Sequence, residues 1–212
     1  MQAGKVVTKR VSRAEWMRRQ FRGLLDPMAS AFIRLGLRPN TMTLIGLAGN
    51  VFGAALLSQG YMTLGGILIL AMGPFDALDG TMARMLGQPT RFGAFVDSVT
   101  DRWSEMLIFL GLLYFYLQSD APDAWLYCLL VFVAMMGSVM VSYTKARAEA
   151  LGFDCNVGVL TRFERYLVMA PALVLNRPWL ALWVIAALAN VTALQRTAYV
   201  RNQARKGSQE LA

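Results

Sequence analysis

Six apolar runs, each close to the length that crosses a bilayer, constrain this chain more than any other feature. They lie at Asn40 to Ser58, Thr63 to Met85, Phe92 to Gln118, Ala124 to Thr144, Val159 to Asn176 and Trp179 to Tyr199. A run of about 20 mostly apolar residues spans the hydrocarbon layer as a helix, and somewhat shorter or interrupted runs do so with tilt and functional charges allowed for. Helix is the default for all six, because in lipid every backbone N–H and C=O must find a partner inside its own segment. With 56% of its 212 residues hydrophobic, the composition falls outside the range of an ordinary soluble domain. The expected fold is an all-α membrane protein with six transmembrane helices.

Charge sets the expected orientation. The 21 Lys and Arg exceed the 13 Asp and Glu, for a formal charge of +8. The basic residues gather before Pro39, between spans 2 and 3, at the junction of spans 4 and 5, and from Arg196 onward. The opposite connections, "SQGY", "SDAPD" and "NRPW", carry a single arginine. By the positive-inside rule both termini and the two basic loops face the cytoplasm. The expected organisation is a cytoplasmic N-terminal segment over 1–38, a six-helix domain over 39–202 and a cytoplasmic tail over 203–212. No short apolar core with a small-residue cleavage site opens the chain, so no signal peptide is expected. Residues 11 to 37 alternate basic and apolar positions at roughly helical spacing, which suits an amphipathic helix lying on the cytoplasmic leaflet. Residues 1 to 10 read equally well as a solvated basic tail. Nucleic acid is not an expected partner, since the charge sits where topology already demands it.

Cys128 falls within span 4 and Cys155 in a cytoplasmic loop, so both are expected to be reduced and unpaired. Histidine is absent. Any acid/base or metal chemistry must therefore run on carboxylates, which favour hard cations such as Mg2+ or Mn2+.

The stretch "DALDGTMARMLGQPTRFGAFVDSVTD" sets four aspartates inside the apolar pattern. Asp76 and Asp79 share one face of span 2 near its cytoplasmic end, and Asp97 and Asp101 share one face at the start of span 3. The two pairs thus lie at similar depth on the same side. A charged residue at membrane depth costs roughly 2.5–3.5 kcal/mol on insertion scales, and like charges crowded together add repulsion. Arg84, Arg91 and Arg102 could offset some of this, but two divalent cations bring four positive charges and use carboxylate oxygens as ligands. Gly80, Ala83 and Gly93 stand beside the acids, where small residues admit a ligand or a neighbouring helix.

The pattern D-x2-D-G-x2-A-R-x8-G-x3-D-x3-D, met by Asp76, Asp79, Gly80, Ala83, Arg84, Gly93, Asp97 and Asp101, resembles the signature of the CDP-alcohol phosphotransferase family. The resemblance implies attack of a hydroxyl on the β-phosphorus of a CDP-linked lipid such as CDP-diacylglycerol, with release of CMP. It implies two Mg2+ or Mn2+ ions held by Asp76, Asp79, Asp97 and Asp101, with Asp101 also the base toward the attacking hydroxyl. Gly80 and Arg84 would meet the cytidine diphosphate. "GLRPNTMT" is similar to the family's nucleotide-contacting turn, so Asn40 and Thr43 would help seat the CDP group, although a helix cap is an equal alternative for Asn40. Thr90 matches a hydroxyl position near the CDP phosphates.

"SYTKARAEALG" and "TRFERYLV" set Lys145, Arg147, Arg162 and Arg165 at the cytoplasmic ends of spans 4 and 5, and "ALQRTAY" sets Arg196 near the end of span 6. Flanking charge accounts for some of them. Converging, Lys145, Arg165 and Arg196 would make a pocket for an acceptor that already bears a phosphate. These segments are most similar to the prokaryotic phosphatidylinositol phosphate synthase branch of the family, which implies inositol phosphate as acceptor, acceptor-phosphate contacts from Lys145, Arg165, Arg196 and Arg147, and a homodimer. Phe163 departs from that branch, which usually has proline there. Glycerol phosphate is the nearest alternative acceptor. A cation transporter is the alternative from another class, but it would spread acids across the membrane thickness instead of clustering them on one side. Glu149 and Glu164 are expected to pair with nearby basic residues.

Overall fold

The computed structural model describes residues 13–87 and 89–210. The basic stretch 1–10 and the last two residues of the expected tail lie outside the described residues. Among these there are seven helices and no strand: α1 (Arg13–Arg34), α2 (Pro39–Ser58), α3 (Met62–Met85), α4 (Arg91–Leu117), α5 (Ala124–Ala150), α6 (Arg162–Val174) and α7 (Pro178–Glu210). Four of them, α2, α3, α5 and the Pro178–Lys206 part of α7, are long and apolar enough to cross a membrane. Helix α4 has the length, but Asp97, Asp101, Arg102 and Glu105 crowd its first half.

Helix α6 is shorter than its apolar run, at 13 residues. Residues 151–161 are an irregular connection instead of helix, and Asn176 ends the element with a left-handed φ of 55°. There the Arg177 N–H reaches back to the Ala172 carbonyl and the Asn176 N–H to that of Leu173, the closing pattern by which a left-handed residue satisfies orphan carbonyls. Helix α7 runs past residue 202, and its Gln203 amide donates to the Asp154 carbonyl at 2.6 Å. The connection between α5 and α6 is thereby tied to the side of α7.

Helices α2 to α7 touch in the closed order α2, α3, α6, α7, α5, α4 and back to α2, while α1 packs on α3. Lipid gives helices no hydrophobic reason to associate, so close backbone approach matters. Gly111 of α4 meets the Ala54 carbonyl of α2 so closely that a Cβ there would stand 2.4 Å away. One core cluster fills most of the ring, including Ile69, Phe109, Leu112, Val131, Leu173, Leu182 and Ile185. A second seats α1: Leu25 and Ala29 pack with Met42 of α2 and Leu78 and Met82 of α3. That seat flanks the turn of α3 that carries Asp76 and Asp79.

Candidate active site

Helix α3 contains Pro74, which has no N–H to give the Leu70 carbonyl one turn earlier. The Tyr166 hydroxyl of α6 faces the orphan, 2.8 Å from the Leu70 oxygen and 3.1 Å from that of Ile69. It can come this close because residue 73 is glycine, where a Cβ would lie 2.2 Å from the hydroxyl. The gap that Pro74 leaves in the hydrogen-bond ladder of α3 is thus filled from outside, two residues before Asp76. Tyr166→Phe should lower stability by about 1 kcal/mol, the worth of one hydrogen bond; thermal unfolding in detergent measures it, and an unchanged midpoint would show the hydroxyl to be idle.

Beyond Pro74, Asp79 is buried, accepting a 2.6 Å hydrogen bond from the Thr43 hydroxyl in the first turns of α2. Asp76 points toward Gly46 of α2, where a Cβ would stand 2.9 Å from its Oδ1. Helix α4 starts at Thr90, whose hydroxyl accepts from the Gly93 N–H at 2.9 Å. That cap sets Asp97 and Asp101 on the following turns. Asp97 is in electrostatic range of Asp76, Asp79 and Asp101, so all four aspartates come together at the end of the bundle where α2, α4 and α6 begin and α3 ends.

The group at the centre of this cluster reads in the sequence only as flanking charge, with no place in the aspartate site. Arg162, the first residue of α6, bridges Asp76 at 3.0 Å and Asp101 at 2.5 Å. Its neighbour in the same turn, Arg165, is fully buried and grips Glu105 of α4 through two bonds of 2.6 and 2.9 Å, Glu105 lying one turn beyond Asp101. Thr161 and Glu164 close the capping box that starts the helix, with the Thr161 N–H donating to Glu164 at 2.9 Å. One short helix therefore holds both aspartate helices, through Arg162, Arg165 and Tyr166 on one face.

The remaining expected residues divide. Asn40 lies exposed one residue inside α2, and Arg38 stands at the N-cap position without a side-chain bond, so Asn40 does not cap the helix. Arg84 donates to the Thr81 hydroxyl at 2.9 Å, and the space over Gly80 is open except for that arginine, 3.4 Å from where a Cβ would be. Arg196 is buried and directed to backbone, donating to the Val157 carbonyl at 2.9 Å and to that of Val141. It lies within electrostatic reach of Arg165. Lys145 pairs with Glu149 at 3.6 Å and Arg147 is exposed at the same end of α5. Cys155, buried in the adjoining connection, is a free thiol that burial pushes above its ordinary range.

The donor set fits hard divalent cations, because it offers carboxylate oxygens from two helices and no histidine exists in the chain. As the side chains stand, no three acidic groups among the described residues already converge on one point. A guanidinium instead supplies the positive charge between Asp76 and Asp101.

The sequence profile described as CDP-alcohol phosphatidyltransferase matches residues 37–195. The phosphatidylinositol phosphate synthase of Mycobacteroides abscessus is 35% identical over 192 residues, covering 87% of this chain and 86% of that one. The crystal structure of the Mycobacterium tuberculosis phosphatidylinositol phosphate synthase in complex with manganese and citrate aligns with a TM-score of 0.77 at 32% identity, over 84% of this chain and 88% of that one. The same enzyme with CDP-DAG bound aligns with a TM-score of 0.76 at 31% identity, over 84% and 93% respectively.

Proposed function

The chain belongs to the CDP-alcohol phosphatidyltransferase family, and on that premise we propose that it transfers the phosphatidyl group of CDP-diacylglycerol to inositol phosphate, giving phosphatidylinositol phosphate and CMP. The observation that carries this reading is the meeting of Asp76, Asp79, Asp97 and Asp101 from two helices at one end of the bundle. Asp76, Asp79, Asp97 and Asp101 would hold two Mg2+ or Mn2+ ions. When bound, such ions offset charge on the pyrophosphate and on the departing CMP.

The chain's own groups account for the rest. The acceptor hydroxyl attacks the β-phosphorus, a new P–O bond forms, the bridging P–O bond to CMP breaks with its electron pair, and the hydroxyl proton passes to the Asp101 carboxylate. Arg162 engages one oxygen of Asp101, Oδ1, which leaves Oδ2 to take that proton. Thr43 orients Asp79 by its hydrogen bond. Asn40, Thr43, Gly80, Arg84 and Thr90 line the CDP side, Gly80 through its uncovered backbone and Arg84 through its phosphate-matching fork. Lys145, Arg165 and Arg196, with Arg147, form the acceptor side, and the phosphate would have to compete with Glu105 for Arg165.

In the membrane arrangement we propose, α2 to α7 make six spans, with α4 carried across by its neighbours in the ring and short α6 sheltered between α3 and α7. Helix α1 lies along the cytoplasmic interface, and both termini and the site face the cytoplasm, as the distribution of basic residues requires. Acyl chains then enter from the bilayer while inositol phosphate and CMP exchange with water. The assembly is a homodimer, on the strength of the family resemblance.

Purified protein given CDP-diacylglycerol and Mg2+ or Mn2+ is expected to release CMP with inositol phosphate and little with inositol or glycerol phosphate. More CMP with glycerol phosphate would refute the acceptor, and none with any acceptor would refute the transfer itself.

A further inference from the structure

We propose that the Arg162 guanidinium is a tethered counter-ion that sits in the cation seat between Asp76 and Asp101 and has to be displaced for a divalent cation to enter. The proposal rests on the aspartate-site reading above and adds an order of events to it.

Three observations carry it. Arg162 contacts one carboxylate from each aspartate helix, Asp76 at 3.0 Å and Asp101 at 2.5 Å. It thus does across α3 and α4 what a shared cation would do. Its backbone is held fast by the capping box, the Arg165–Glu105 pair and the Tyr166 hydroxyl, yet 41% of its side chain is exposed, so the guanidinium can leave while the helix stays. Finally, it occupies the first turn of α6, where the positive end of the helix dipole works against a cation. Asp76 and Asp101 are its ion-pair partners, with Glu105 adding a weaker attraction from further off, and ions that neutralise the aspartates loosen the hold on it. Arg165, by contrast, is fully buried and bonded to Glu105 outside the set of four aspartates, and has no such freedom.

A single positive charge within a few ångströms of two ligands should weaken cation binding by a large factor. Mn2+ titration of the purified protein in detergent, read from the electron paramagnetic resonance signal of the free ion, tests this. Arg162→Gln is expected to bind Mn2+ about ten-fold more tightly than the parent or better, while Arg162→Lys, which keeps the charge, stays within about three-fold of it. Equal or weaker binding by Arg162→Gln overturns the proposal. Asp79→Asn separates the layers of the argument: if it loses Mn2+ but Arg162→Gln gains nothing, the counter-ion role alone fails. If the parent protein binds no Mn2+, or Asp79→Asn binds it as well as the parent, the aspartate site fails and takes the proposal with it. The parent protein supplies a second readout that no folding defect can obscure. Modification of Arg162 by phenylglyoxal, followed by peptide mass spectrometry, should rise at least about three-fold on Mn2+ saturation as the ion-paired guanidinium becomes free; an unchanged or reduced yield overturns the displacement.

Discussion

Replacing Asp101 with asparagine is expected to slow CMP release by about a thousand-fold, within the range that a positioned proton acceptor contributes, while the protein still folds. Asp101 is one of the two aspartates that Arg162 ties together. Its side chain is only 11% exposed and it shares Arg162 with Asp76. Asparagine fills the same volume and can still accept a hydrogen bond from Arg162, but it neither takes the acceptor proton nor brings a negative charge to a cation. Arg162 keeps Asp76 as a partner, so α6 remains docked. CMP release under saturating CDP-diacylglycerol, alongside thermal unfolding, checks both halves. Turnover within about three-fold of the parent would remove Asp101 from the proton's path.

The second large effect is on stability. Arg165→Ala should cost about 3 kcal/mol, the lower end for breaking a buried ion pair, because Glu105 retains some exposure. The arginine is 1% exposed and its fork spans both oxygens of Glu105. Deleting it strands a carboxylate inside the bundle. Removing Glu105 as well should recover part of the loss, so a double-mutant cycle on the unfolding midpoint isolates the pair. If Arg165→Ala melts with the parent, the contact is idle. Any rise in the acceptor concentration that the variant needs has to be read against this loss of fold, since Arg165 both anchors α6 and is proposed to meet the acceptor phosphate.

Hydropathy locates where a helix leaves oil more surely than where it ends. Helices α2 and α3 match their apolar runs closely because turn residues follow at once, at Gln59–Gly60 and Leu86–Gly87. Helix α5 continues from Thr144 to Ala150 because Lys145, Ala146, Arg147, Ala148 and Glu149 are good helix formers. Helix α6 loses its first residues to an irregular connection whose pins, Thr192 to Leu160 and Arg196 to Val157, come from a distant helix.

The aspartates were readable because each pair repeats within one helix. Arg162 was not, since a basic residue at the start of a span is what topology alone demands, and Asp76 lies 86 positions away. Glu105 did carry a signal: it extends the four-residue spacing of Asp97 and Asp101 by one more step. Gly46 and the Tyr166 brace on α3 had none, because the need for room beside Asp76 and for a donor at Leu70 arises only when helices meet.

That brace bears on any attempt to transplant the chemistry. The aspartate signature is contiguous and looks portable, yet its first half follows a proline-bearing turn whose loose carbonyl is satisfied by a residue almost a hundred positions downstream. A designer who copies residues 76–101 onto a new scaffold imports the ligands without the strut that aims them. The smallest transferable unit is the motif together with the short helix that leans on it.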